Sequence, residues 1–288
     1  MQNEVNNMIE IKNKVFGEER ALYNLENGLV EDCRFAGIED GESALKEARD
    51  IIVKNTNFDL RYPLWHVKKY SVIDSFLNDG CRAPIWYASD GKIINTKITG
   101  VKCLRESINT YIDKCDIDSK EFGWMCDNVT LVDSKINSEY LFLKSSNIKC
   151  ANIHQSGKYT YQYTENVEIR NSVLDTKDAF WHCKNVLVSN CIVKGEYLGW
   201  FSDGLTLVNC KISGTQPLCY AKNLKLINCT MEDCDLAFEY SDVDATIIGH
   251  VESIKNPRSG KIVVDSVGEI IHEHPVMECS GIVEIRKR

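Results

Sequence analysis

The 288-residue sequence predicts an all-β chain, wound as a right-handed parallel β-helix of three short strands per coil, and three observations carry that expectation. The first is a repeat. Asn95-Thr96-Lys97-Ile98, Asp133-Ser134-Lys135-Ile136, Asn171-Ser172-Val173-Leu174, Asn190-Cys191-Ile192-Val193, Asn209-Cys210-Lys211-Ile212 and Asn228-Cys229-Thr230-Met231 lie 19 residues, or twice 19, apart, and Cys115 and Ile153 fill the missing registers. The second is alternation with a period of two: Val186, Val188, Cys191 and Val193 point one way, with polar residues between them. The third is corner chemistry. Asn or Asp at 95, 133, 152, 171, 190, 209 and 228 breaks the alternation once per repeat, where the chain must turn through a left-handed conformation that these residues tolerate. A second corner falls at 138, 157, 195 and 214, small residues of which three are glycine.

Taken in order, residues 1–28 depart from the period and read as an N-terminal cap. Asp32-Cys33-Arg34-Phe35, Asn55-Thr56-Asn57-Phe58 and Asp74-Ser75-Phe76-Leu77 then lead into the repeat with steps of 23, 19 and 21. The insertion from Gly41 to Glu47 has the composition of one helical turn. Regular coils run over 29–241. After Asp242 the spacing dissolves, though Ile262-Val263-Val264 and Ile282-Val283-Glu284-Ile285 still read as strands, so 242–288 is an irregular C-terminal part and cap. The whole of 1–288 is expected to be one domain, capped at both ends because a bare parallel edge invites edge-to-edge growth.

Parallel coils stack about 4.8 Å apart, so equal positions form ladders along the axis. Cys115, Cys191, Cys210 and Cys229 share one inward column, where a thiol behaves as a small hydrophobe. No C-x-x-C pair occurs among the thirteen cysteines, and buried free thiols are expected rather than disulfides or metal ligands. His272 and His274, at alternate spacing, lack a third ligand, and no metal and no cofactor are expected.

The third strand of each coil carries an excess of aromatics. Trp86, Arg105, Trp124, Leu143, Gln162, Trp181, Trp200, Cys219 and Phe238 read as its inward column. The other parity holds Tyr159, Tyr161, Tyr163, Asp178, Phe180, His182, Tyr197, Phe201 and Tyr220, with Glu106, Lys144 and Glu239. Contiguous outward aromatics mark an interaction surface. With the parities exchanged the tryptophans become the outward column and a stripe remains. Sugar rings pack on aromatic faces while their hydroxyls bond Tyr, Asp and His, so Tyr161, Tyr163, Asp178, Phe180, His182 and Tyr197 are the candidate ligand-binding residues. A second subunit, or the C-terminal segment, is the alternative cover for this face.

Acid–base chemistry on a polysaccharide needs neighbouring carboxylates or a basic residue near acids. Asp178 and His182 lie four apart on one strand, and Glu196 is the nearest acid to Asp178. Arg82 and Arg105 sit beside Trp86 and Tyr87 and have the chemistry to stack on rings and bind carboxylates. These five are the catalytic candidates; Glu106 and Glu239, seven rungs apart, cannot act together.

Composition bounds the partners. A net charge of -8 with interspersed signs offers no basic stripe for a phosphate backbone, and no apolar run is long enough to span a membrane. The first thirty residues are too polar for a secretory leader, which makes a cytoplasmic location the expectation.

Gly-Glu-Ser-Ala-Leu-Lys-Glu (41–47), Tyr-Pro-Leu-Trp-His (62–66), Arg-Ala-Pro-Ile-Trp-Tyr (82–87), Lys-Asp-Ala-Phe-Trp-His (177–182), Gly-Glu-Tyr-Leu-Gly-Trp (195–200) and Leu-Ala-Phe-Glu-Tyr (236–240) resemble the motifs of a bacterial domain-of-unknown-function family of pectate-lyase-like, single-stranded right-handed β-helix proteins. The resemblance spans nearly the whole chain and implies the fold, not an activity. The paired aspartates, Gly-His-Gly and Arg-Ile-Lys of polygalacturonases are absent, as is a calcium-binding aspartate cluster, and Arg82-Ala83-Pro84 only faintly echoes a lyase arginine. The sequence therefore points to a β-helix that binds an oligosaccharide or similar ring-bearing ligand on its aromatic face. The alternatives are a non-enzymatic scaffold that homo-oligomerises through that face, and a lyase or hydrolase with a non-standard site.

Overall fold

The computed structural model describes residues 8–38 and 41–287. The chain forms two compact units, 1–138 and 139–288. Each is an all-β parallel solenoid of about 19 residues per turn, and no helix occurs among the described residues. Residues 1–7 of the expected cap lie outside the described residues.

In the first unit the register starts earlier than the sequence period suggested. Ile9–Lys12 pairs in parallel with Glu26–Glu31, Ile9 opposite Gly28, a step of 19. Phe16 stacks on Phe35 at 5.0 Å, and Phe35 on Phe58 at 4.8 Å. Residues 9–16 are thus a coil, with Asn13 at the corner position later taken by Asp32 and Asn55, all with φ between 45° and 56°. The 41–47 insertion forms turns rather than a helical one: Ser43 and Glu47 have positive φ, and their N–H groups bond the Arg61 and Trp65 carbonyls of the next coil.

In the second unit the strand pair Lys184–Ser189 and Ile192–Lys194 typifies a coil; the first is in register with Asp203–Val208, the second with Lys211–Ser213. Val186, Val188, Cys191 and Val193 are all buried. Every Asn or Asp of the first corner has φ near 50°, and Gly157, Gly195 and Gly214 hold φ of 126–137° at the second. A Cβ on Gly195 would fall 1.8 Å from the Thr176 carbonyl oxygen, which only glycine avoids. The corner amides also ladder: Asn190 Nδ2 donates to Asn171 Oδ1 at 3.4 Å and Asn209 Nδ2 to Asn190 Oδ1 at 3.2 Å.

The residue after this corner is buried and, except at Ile153, small, with a side chain that donates to the carbonyl two residues back: Ser172 to Arg170 at 2.8 Å, Cys191 to Ser189 at 3.1 Å. A thiol at this position is therefore a weak donor as well as an apolar filler. All thirteen cysteines are free and twelve are buried. Burial pushes the Cys150 and Cys126 thiols up to about 12.

In the second unit the third side of the coil is not a pleated strand: its five-residue segments, such as 159–163, 178–182 and 197–201, have positive φ at the first, third and fifth residues. In the first unit the corresponding segments 62–66 and 83–87 keep positive φ only at the first and fifth residues and hold the paired two-residue strands Leu64–Trp65 and Ile85–Trp86. Coil-to-coil bonds persist, Phe180 N–H to Thr160 O at 2.9 Å and Tyr163 N–H to Trp181 O at 2.9 Å. Strict inside–outside alternation, which holds for backbone of uniform φ sign, does not. The second and third residues of these segments are buried, and the fourth and fifth lie progressively nearer the surface: in 178–182, Ala179 and Phe180 are buried, Trp181 is half-buried and His182 exposed, while Gln162 at the fourth position of 159–163 is buried.

Candidate functional site

This geometry redistributes the aromatic stripe. Two of the six candidate ligand residues, Tyr161 and Phe180, occupy the third position and are fully buried, stacked at 5.1 Å in a core column that also takes Phe142. Their assignment to the outward face is corrected, because alternating φ turns that position inward. Of the column assigned inward, Trp86, Arg105, Trp124, Leu143, Trp181 and Trp200 are instead half-buried at the fourth position, Gln162 and Cys219 are buried as expected, and Phe238 does not belong to it: Tyr220 N–H bonds Glu239 O, which puts Glu239 there and Phe238 in the core column.

What reaches the surface of the second unit is a ladder of fifth-position rings. Tyr163, His182, Phe201 and Tyr220 stack at 4.8, 5.0 and 4.9 Å with planes within 18° of each other. Tyr163 is 52% exposed, Phe201 is 43% exposed, His182 is exposed and Tyr220 half-buried. Beside it Trp181 and Trp200 stack at 5.4 Å, edge-on to Phe201. Each indole N–H donates to a backbone carbonyl, Trp181 to Tyr197 at 2.6 Å and Trp200 to Gln216 at 2.8 Å, so the indoles are held in place. The C-terminal segment reaches the Tyr240 rung, where the Val276 N–H donates to the Tyr240 hydroxyl at 3.2 Å. Tyr163, His182 and Phe201 are exposed.

Asp178 and His182 stand at opposite ends of one segment, in different surroundings. Asp178 is 6% exposed, and burial raises its carboxyl above the usual value, opposed by Lys177 and reinforced by Glu196. Glu196 is on the next coil, where its carbonyl accepts the Asp178 N–H at 3.0 Å, but its carboxylate is held by Lys177 at 2.7 Å. Lys177 also lies over the half-buried Tyr197 ring at 5.2 Å. No hydrogen bond joins Asp178 to His182 among the described residues.

The first unit repeats the two surface columns with different chemistry. Trp65 and Trp86 stack at 5.9 Å, and His66 and Tyr87 at 5.0 Å. Arg105 fills the fourth position between Trp86 and Trp124, its guanidinium 5.5 and 5.1 Å from the ring centroids, and the acidic partner such a setting requires is Glu106, at 3.9 Å. Glu106 also accepts from the Trp86 indole N–H at 3.4 Å. Arg82 is exposed on the segment that begins this block. Among the described residues no three His, Cys, Asp or Glu converge as metal ligands, and His272 and His274 lie in the exposed C-terminal segment.

Fold and surface together define a parallel β-solenoid that displays stacked aromatic ladders on the third side of its coils. The chain belongs to the family described as protein of unknown function DUF3737, whose profile matches residues 9–284. No protein of curated function matches it in sequence. Three solved structures are similar in coil architecture. The A-module of mannuronan C-5 epimerase AlgE6 from Azotobacter vinelandii is 11% identical over 96% of this chain and 89% of that one, with a TM-score of 0.43. The surface adhesin PfbA of Streptococcus pneumoniae is 9% identical over 94% and 84%, with 0.34. A GH87 α-1,3-glucanase catalytic domain is 7% identical over 96% and 63%, with 0.32. At such identities and scores none of them says what this chain does.

Proposed function

We propose that the protein binds a saccharide on the open ladder of its second unit, with Tyr163, His182, Phe201 and Tyr220 as the contact column and Trp181, Trp200 and Tyr197 at its flank. One observation carries this reading: four consecutive rings stack in a column, three of them with polar ring atoms, with Tyr163, His182 and Phe201 exposed and Tyr220 half-buried. Such amphipathic rings contact both the apolar and the hydroxyl faces of a sugar. Lys177 and Glu196 supply polar groups along the Tyr197 edge. A glycan array probed with the wild-type chain and with Phe201→Ser tests it; binding by the former and not the latter is expected.

A cytoplasmic setting belongs to the same proposal, supported by unpaired thiols throughout the chain.

A subunit interface is the second reading, and the stacking itself favours it. Rings 4.8–5.0 Å apart with planes 9° apart cover one another's faces and leave edges to the solvent. An edge-lined apolar strip suits a second protein surface as well as a sugar. Sedimentation velocity separates the two: a dimer dissociated by Phe201→Asp supports the interface.

A further inference from the structure

The first unit holds a pocket that the ladder reading leaves unused. Asn24, Glu47, Arg49, His66 and Lys68 line about 310 Å³ of surface cavity, at the small end of ligand pockets. The coil register builds it. Glu26, Arg49 and Lys68 are successive register partners on one sheet. Glu47 and His66 end successive third-side segments, the Glu47 N–H donating to Trp65 O at 2.8 Å.

The charges around this pocket are unevenly matched. Glu26 ion-pairs with Arg49, and the Glu47 carboxylate accepts the Tyr23 hydroxyl at 2.7 Å. Lys68 has no carboxylate in reach among the described residues, and it is exposed. His66 supplies a wall: Tyr87 covers one imidazole face at 5.0 Å and Trp65 flanks it at 5.5 Å, while the rung before it carries Glu47, which is not a ring. The other imidazole face therefore opens on the pocket.

We propose that this pocket binds a sugar bearing an anionic group. The ring lies against His66, the hydroxyls meet Asn24 and Glu47, and the anion sits on Lys68 with Arg49 behind it. A bare anion would gain Lys68 but meet the Glu47 carboxylate without the hydroxyl bonds that offset it, and a neutral sugar would leave Lys68 unused. Carboxylate and phosphate satisfy the same cation, as in a sugar acid or a sugar phosphate.

The test is calorimetric titration of the full chain, at low ionic strength so that exposed charges are little screened, with glucuronate, glucose 6-phosphate, glucose and inorganic phosphate. At least one charged sugar is expected to bind about tenfold more tightly than both glucose and inorganic phosphate, and whichever binds identifies the anion. Lys68→Ala should abolish that preference and Lys68→Arg retain it, whereas Phe201→Ser in the other unit should leave it unchanged. Equal affinity for glucose, equal affinity for inorganic phosphate, indifference to Lys68→Ala, or no heat with either charged sugar up to roughly 10 mM would each overturn the proposal. None of these results bears on the ladder of the second unit.

Discussion

His182 lies flat between Tyr163 and Phe201, 4.8 Å from one ring and 5.0 Å from the other, with both interplanar angles at 9°. An exposed imidazole sandwiched in this way ties three coils together at the surface. Stacked pairs contribute about 0.5–1.5 kcal/mol beyond area burial. Phe201→Ala should therefore lower stability by about 1 kcal/mol in urea denaturation, a small loss against its expected effect on binding.

Phe180 makes the contrast. It is fully buried against Tyr161 at 5.1 Å, and Phe180→Ala leaves a cavity expected to cost about 3–5 kcal/mol. If urea denaturation ranked Phe201→Ala as the more damaging change, the buried and exposed columns would be interchanged.

Asn190 has φ 55°, and its carboxamide links Asn171 to Asn209. Asn190→Ala should cost about 1–2 kcal/mol, chiefly because an alanine resists the left-handed region. Asn190→Gly should recover part of that loss, since glycine adopts the same φ freely. A thermal melt in which Gly is no better than Ala would locate the loss in the amide ladder instead.

Asp178 gives a pH-dependent prediction. Burial raises its carboxyl from the usual 3.8, so above that value the unfolded chain gives up a proton that the folded chain retains. Folding stability is then lost as pH rises through the interval between the two values. Asp178→Asn, which cannot ionise, should melt higher than wild type at neutral pH, and the gap should close below the ordinary carboxyl range.

The thiols behave similarly at the alkaline end. Burial pushes Cys126 and Cys150 from 9.0 up to about 12, so unfolded thiols ionise first and stability falls as pH rises from 9 toward 12. At neutral pH, Cys279, the one cysteine not buried, should react with a thiol reagent in the native protein, and the other twelve only after denaturation.

The coil was legible because its determinants are local. Corner asparagines such as Asn171 and Asn209, the glycines at 157, 195 and 214, and alternating valines such as Val186 and Val188 each state their conformation through residue type. The ladder was legible as a set of aromatics but not as a surface. Tyr161 and Tyr163 are chemically identical and two residues apart, yet one is fully buried and the other half-exposed, because φ changes sign along the segment. Charged residues in the same column carry the missing signal. Glu47, Glu106 and Lys144 share the position of Tyr163 and His182, whereas Leu45, Leu64, Ile85 and Leu104 share that of Tyr161 and Phe180. A column that admits glutamate and lysine is an outward one. The slip that put Phe238 among the tryptophans has a different origin: the last of these segments starts 20 residues after its predecessor, Leu236 against Gln216, one more than the repeat.

The most direct test of the central claim is titration of the strongest glycan from the array into wild type, Phe201→Ser and Tyr111→Ser. Tyr111→Ser serves as the control, since it removes an exposed ring of the first unit that takes no part in either proposed site. The ladder reading predicts that Phe201→Ser weakens binding at least about tenfold and that Tyr111→Ser leaves it intact. Binding undiminished by Phe201→Ser, or a wild-type monomer that binds no glycan at all, would contradict it.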